Sequence, residues 1–273
     1  MSYLSNSRRC KLFEEITRNT WSHVIRNHST GVQVSEVGKT NDIVAEIRAS
    51  HLADNNIGVW ANPGHLEIEH GSDLDIFVET KADMFVWWAL QAKVLKRDGT
   101  YKGLITLHGG EYQWDKLRRL SEQTGCFSRY LLYNGLADFR MYMDDQCNRR
   151  FDEDQYGCSL VSLDDMEAIA LDRVPRFRDF HPEFAQPWRI IPCCYINPSR
   201  LKTQTYSLAQ IQDSVKYYEA AKGNPELLET RETMLYPKYN DIAIDAINKF
   251  SEEHGREPIA RMVLRSTAAL GAR

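Results

Sequence analysis

Along residues 12–27, Phe13, Ile16, Trp21, Val24 and Ile25 recur at helical spacing and leave one apolar stripe. A second stripe, Ile43, Val44 and Ile47, predicts a helix over 42–52 capped by Thr40 or Asn41, with Glu46 pointing away from it. After a turn marked by Pro63 and Gly64 the period drops to two. From Gly71, Asp73, Asp75, Phe77 and Glu79 alternate with Leu74, Ile76, Val78 and Thr80, the pattern of a strand with one buried face. Residues 84–96, dense in Phe, Val and Trp, read as a second strand, and 81–83 as the turn of a hairpin.

Gly109 and Gly110 interrupt the chain before a predicted helix over 111–124, which Gly125 stops, and a further strand follows over Arg129 to Tyr133. Ser162 with Asp165 resembles a capping box opening a helix through Ala170. Prolines at 175, 182, 187, 192 and 198 predict an irregular stretch, followed by helices over 207–221 and about 225–254. Helix, strands, helix, strand is an α/β order, in which a mixed sheet is covered by helices. The expected division is a domain over 1–200 and a helical C-terminal extension or subdomain over 201–273.

Composition narrows this little. The chain has 273 residues, a charged share of 26% and a formal charge of −4, so any nucleic-acid binding must come from a local basic face. Six cysteines without a C-x-x-C pair read as buried, inert thiols in a reducing cytoplasm. Cys147, Cys158, Cys193 and His181 match no zinc-ligand spacing. The most apolar run, residues 84–90, is too short to span a membrane, and a soluble protein is expected. His65 and His70 lack metalloprotease spacing, and no P-loop, dinucleotide-binding glycine pattern or nucleophile elbow is present.

The chemistry concentrates in GSDLDIFVETKADMFVWWALQAKVLK. Gln91 and Lys93 are two apart and share a strand face. Pairing Thr80 with Met84 and counting back brings Asp73 opposite Gln91, with Cβ atoms only ~5 Å apart. A carboxylate, an amide carbonyl and an ammonium gathered at one hairpin end suit a hard cation such as Mg²⁺ and the hydrolysis of a phosphodiester. Lys96, Arg97, Lys102, Lys116 and Arg119, with Arg118, are candidates for a phosphate-binding rim, although a solvated helix face explains 116–119 equally well. Phe85 and Trp87 share the Gln91 face, where strand aromatics are more often core than base-stacking.

Asp73, a hairpin and then Gln91-Ala92-Lys93 resemble the PD-(D/E)XK nuclease superfamily in its Q-x-K variant, and more narrowly bacterial defence-associated or uncharacterised domains. The resemblance runs over about residues 36–135. It implies a restriction-endonuclease-like core, Asp73 and Gln91 as ligands of Mg²⁺, with Mn²⁺ as a substitute, and Lys93 as the catalytic lysine. Gln113, on the following helix, is a candidate contact to substrate or lysine. Because Gln91 replaces an acid, a compensating carboxylate is expected from Glu46, Glu69 or Asp75. The implied activity is a DNA endonuclease of restriction or antiphage defence, acting on double-stranded DNA alone, as a homodimer or with a defence partner. The alternatives are an inactive nuclease-fold module that binds nucleic acid or a partner, and an RNA-cleaving toxin.

Overall fold

The computed structural model describes residues 3–53, 60–63, 71–81, 84–107, 109–140, 142–144, 150–193, 206–207 and 262–264. Helix α1 (Tyr3–Thr30) carries the expected stripe, with Phe13, Ile16 and Val24 fully buried. Helix α2 (Glu36–Ala53) begins six residues earlier than predicted. The Ser35 side chain accepts from the Gly38 amide at 2.9 Å and caps the first turn, while Thr40, read as a possible cap, instead hydrogen-bonds the Tyr133 hydroxyl at 2.8 Å. The following strands are β1 (Trp60–Pro63), β2 (Leu74–Lys81) and β3 (Met84–Val94).

Helix α3 (Gln113–Thr124) ends as predicted on Gly125, which takes up φ 70. It leads into β4 (Phe127–Tyr133), a small hairpin of β5 (Tyr142–Asp144) and β6 (Arg150–Asp152), and β7 (Cys158–Val161). Ser162 does cap α4 (Leu163–Asp172), accepting from the Asp165 amide at 3.0 Å. The proline-rich stretch is less irregular than expected. It contains the short helices α5 (Phe177–Phe180) and α6 (Ile190–Cys193), with strand β8 (Gln186–Pro187) between them. Beyond residue 200 the described segments are β9 (Tyr206–Ser207) and β10 (Met262–Leu264), and both join the main sheet. The predicted helices over 207–221 and 225–254 otherwise lie outside the described residues.

The sheet is mixed and runs β1-β10-β2-β3-β4-β7-β8, with β9 paired to the start of β3. β3 lies antiparallel to β2 and parallel to β4, so it is central and buried on both faces. One face, carrying Leu74, Ile76, Val86, Trp88, Leu90 and Ala92, packs under α1 and α2. The other, carrying Trp87, Ala89, Tyr130 and Leu132, packs against α3 and α4 through Trp114, Leu117, Leu120 and Met166. Arg118 ties α3 to α4 by hydrogen bonds of 2.9 Å to Asp164 and 2.7 Å to Glu167. This is the α/β arrangement expected, a mixed sheet flanked by helices.

A buried polar network closes the end of β4. The Tyr101 hydroxyl donates to Asn134 Oδ1 at 2.6 Å, and Asn134 Nδ2 donates to Ser159 Oγ at 3.0 Å and to the Tyr156 carbonyl at 2.8 Å. His181 accepts through Nε2 from Ser159 at 2.8 Å and donates through Nδ1 to the Phe177 carbonyl at 2.8 Å. Burial pushes the His181 imidazole down to about 3, so it stays neutral. The pairing of Ser159 with His181 is fully enclosed and is structural.

The cysteine expectation is corrected in one respect: Cys10 and Cys193 form a disulfide joining α1 to α6 across 183 residues. Cys126 and Cys158 are free, and burial pushes both thiols up to about 12, so these two are inert as expected. No helix among the described residues is long and apolar enough to cross a membrane.

Two outcomes follow from this packing. An unfolded histidine binds a proton near pH 6.5, whereas the folded His181 does so only near 3. Its contribution is therefore complete above pH 6.5 and is lost as pH falls toward 3. Denaturant unfolding at pH 7 and pH 4 should show wild type losing about 3 kcal/mol more than His181→Gln over that interval. The second concerns Gly71, which sits at φ 71 with its would-be Cβ 2.9 Å from the Gln113 carbonyl oxygen. Gly71→Ala should cost about 1–3 kcal/mol in the same measurement, because no L side chain fits the conformation or the space.

Candidate functional site

The site is built by a mismatch in strand length. β2 begins at Leu74, paired with Leu90, whereas β3 continues to Val94 with β4 alone beside it among the described residues. Alternate residues of a strand direct their N–H groups to the same neighbour. Ala92 and Val94 therefore aim their amides at the place where β2 has already ended. Two carboxylates fill it. Asp73 Oδ2 accepts from the Ala92 amide at 2.7 Å, and Glu36 Oε1 accepts from the Val94 amide at 3.3 Å. Residues two apart on a strand are separated by ~7 Å, so both carboxylates line one short stretch of edge.

The hairpin register carries Gln91 to the same point. Leu74 faces Leu90, Asp75 faces Ala89, and the Asp73 amide donates to the Leu90 carbonyl at 2.8 Å. The turn differs from the expected three residues. Lys81 pairs with Met84, and an irregularity between Glu79 and Lys81 absorbs the difference before it reaches the site. Gln91 Nε2 donates to Asp73 Oδ2, while Gln91 Oε1 is buried without a hydrogen-bond partner. Lys93 is 5% exposed, and its ammonium lies 3.8 Å from Glu36 Oε2. A buried ammonium requires a counter-charge, and Glu36 supplies it.

Helix α3 roofs this corner. Gly71 approaches its first turn, and Gln113, its first residue, is buried with Oε1 lacking a partner. Asp75 lies one pleat from Asp73 and accepts from Trp87 Nε1 at 3.1 Å, and Trp87 is core. Tyr130, paired with Gln91 across β3 and β4, is buried, and its hydroxyl has no hydrogen-bond partner. Burial and then the negative charge of Asp73 hold that phenol above its usual range, so it is a neutral donor.

Asp73, Gln91 and Lys93 thus meet at the end of β3, and Gln113 opens the helix whose first turn Gly71 approaches. The three predicted sources of a compensating carboxylate fare differently. Asp75 is adjacent but engaged with Trp87. Glu46 accepts from Asn19 of α1 at 3.0 Å and stands ten residues, ~15 Å, along α2 from Glu36, so it does not reach Asp73. Glu69, like His65 and His70, lies outside the described residues. The carboxylate that does reach the corner is Glu36, which the sequence reading missed by starting the helix at 42. The signal was Ser35 with Gly38: a cap at Ser35 makes Glu36 the first helical residue.

The expected basic rim does not form as a continuous patch. Lys102 pairs with Asp98 at 2.7 Å, Arg119 with Glu111, and Arg118 with Asp115, Asp164 and Glu167. Lys116 is buried under the Gly71 segment, which corrects its expected place on the surface. Lys96 and Arg97 keep their place beside the end of β3 and have no carboxylate partner among the described residues. Among those residues no group of three or more His, Cys, Asp or Glu side chains is placed to hold a metal. Drawn from the described residues, a cation here would rest on a mixed set, the carboxylates of Asp73 and Glu36 together with the Gln91 carbonyl.

No curated protein and no solved structure matches the chain. The model of a family of unknown function, DUF6615, matches residues 9–267. The match covers nearly the whole length, and the chain belongs to the DUF6615 family.

Proposed function

We propose that the protein is a metal-dependent nuclease of the PD-(D/E)XK type, with a restriction-endonuclease-like core, that hydrolyses phosphodiester bonds of DNA. The observation that carries this reading is the convergence of Asp73, Gln91, Lys93 and Glu36 on the overhanging end of β3, with the Gln91 carbonyl oxygen buried and unsatisfied. An acceptor in that state costs about 1–3 kcal/mol unless a ligand completes it. Mg²⁺ prefers hard oxygen ligands, and Asp73 with Gln91 Oε1 would hold it. When bound, the ion supplies Lewis-acid polarisation of the phosphodiester.

The remaining work falls to the side chains. The Ala92 amide and Gln91 Nε2 fix the Asp73 carboxylate, and they do so from a strand buried on both faces. Gln91 cannot rotate away without leaving Asp73. Lys93, held at Glu36, presents an ammonium that orients the attacking water and stabilises the negative charge developing at phosphorus. Glu36 restores the negative charge that Gln91 lacks relative to an acidic residue. The setting implied by the resemblance is restriction or antiphage defence, with a second copy or a defence component as partner.

The compensated rim favours a second reading, a nuclease-fold module that binds a partner protein and does not cut. Arginines already bonded to carboxylates track a phosphate backbone poorly.

The two readings separate in one assay. Purified protein is incubated with plasmid DNA, single-stranded DNA and RNA in Mg²⁺ or Mn²⁺, with chelated controls. Wild type should cut DNA only with metal. Lys93→Ala and Asp73→Ala should each lose roughly a hundredfold or more in rate, and Glu36→Gln about tenfold. Cleavage of RNA alone would reassign the substrate. Equal cleavage by wild type and both alanine variants, or none by any, would remove the nuclease reading.

A further inference from the structure

Among the described residues, three buried polar atoms that lack hydrogen-bond partners belong to side chains of one layer, between β3, β4 and α3: Gln91 Oε1, Gln113 Oε1 and the Tyr130 hydroxyl. Gln91 and Tyr130 are register partners on adjacent strands, so their side chains share a face, and Gln113 opens the helix packed over that face. Two are acceptors and one is a donor. A phenol serving only the fold would satisfy itself on one of these amide oxygens. Tyr130 is 0% exposed and bonds to neither.

The corner is therefore arranged for something that brings both an acceptor for the phenol and an electron-pair acceptor for the amide oxygens. A phosphodiester accompanied by a divalent cation brings both. We propose that Tyr130 is a substrate-contacting residue whose hydroxyl donates a hydrogen bond to a non-bridging phosphoryl oxygen of the nucleic acid held at Asp73, Gln91 and Lys93. This inference rests on the nuclease reading and extends it by one residue. No proton leaves the phenol. Burial keeps it in the O–H form, and as the attacking water adds to phosphorus the growing charge on the phosphoryl oxygens strengthens the hydrogen bond. The contact thus acts on the rate more than on binding.

Tyr130→Phe removes one oxygen and leaves the ring in the buried cluster that also holds Trp114 and Leu117. Its cleavage kinetics and thermal unfolding are compared with wild type, with Lys93→Ala as the inactive reference. The proposal expects an unfolding midpoint within about 2 °C of wild type, because the lost donor had no partner, and a kcat lower by roughly tenfold to a hundredfold with KM changed less than about threefold. A variant with wild-type kcat while Lys93→Ala is inactive overturns the role of Tyr130 and leaves the nuclease reading standing; the corner then holds only ordered water. A midpoint lowered by more than about 5 °C assigns the hydroxyl to the fold and also overturns the proposal. A wild type that cuts nothing removes the nuclease reading and this inference with it.

Discussion

The structure depends on a strand that outruns its neighbour. β3 continues from Leu90 to Val94 after β2 has ended, and the two amides left facing open space must be satisfied. Backbone cannot do it, so side chains do. Asp73 comes from the residue just before β2, and Glu36 comes from the first residue of α2. A requirement of hydrogen bonding thereby brings two carboxylates to the edge where Gln91 and Lys93 already project.

That corner is held from both sides. Below β3, Leu90 and Ala92 are locked under α1 and α2; above it, Trp87 and Ala89 lie under α3. The left-handed Gly71 lets the chain turn into Asp73 while lying against the first turn of α3, which brings Gln113 over the strand end. Farther along the same sheet the Tyr101, Asn134, Ser159 and His181 network is saturated with hydrogen bonds. The contrast is informative: one buried polar cluster satisfies itself, and the other leaves two carbonyls and a hydroxyl unpaired. Buried polarity of the second kind is costly to folding and is expected where a ligand completes it.

Much of this was legible along the chain because it is local. Alternation from Gly71 to Thr80 and the dense apolar run after Met84 define the hairpin and its register, and with it the meeting of Asp73, Gln91 and Lys93. The helix capped by Ser162 and the stop at Gly125 follow from short-range chemistry as well. Glu36 was hidden because Gly38 in the first turn of α2 breaks the apolar stripe, which places the predicted start at Asp42. Lys116 was assigned to solvent by its charge, whereas the close approach of Gly71 buries it. The pairing of carboxylates with Arg118 and Lys102, and the joining of Cys10 to Cys193, are properties of tertiary contact that no local pattern encodes.

The central claim is that Asp73 and the Gln91 carbonyl form a cation site made possible by the overhang of β3. Titration of the purified protein with Mn²⁺, followed by the loss of the free-ion electron paramagnetic resonance signal, addresses it without requiring a substrate. The account predicts one saturable site that is lost in Asp73→Ala and weakened in Gln91→Leu, with both variants still folded. A wild-type protein that binds no Mn²⁺ at millimolar concentration, or that binds it equally after Asp73→Ala, would contradict it.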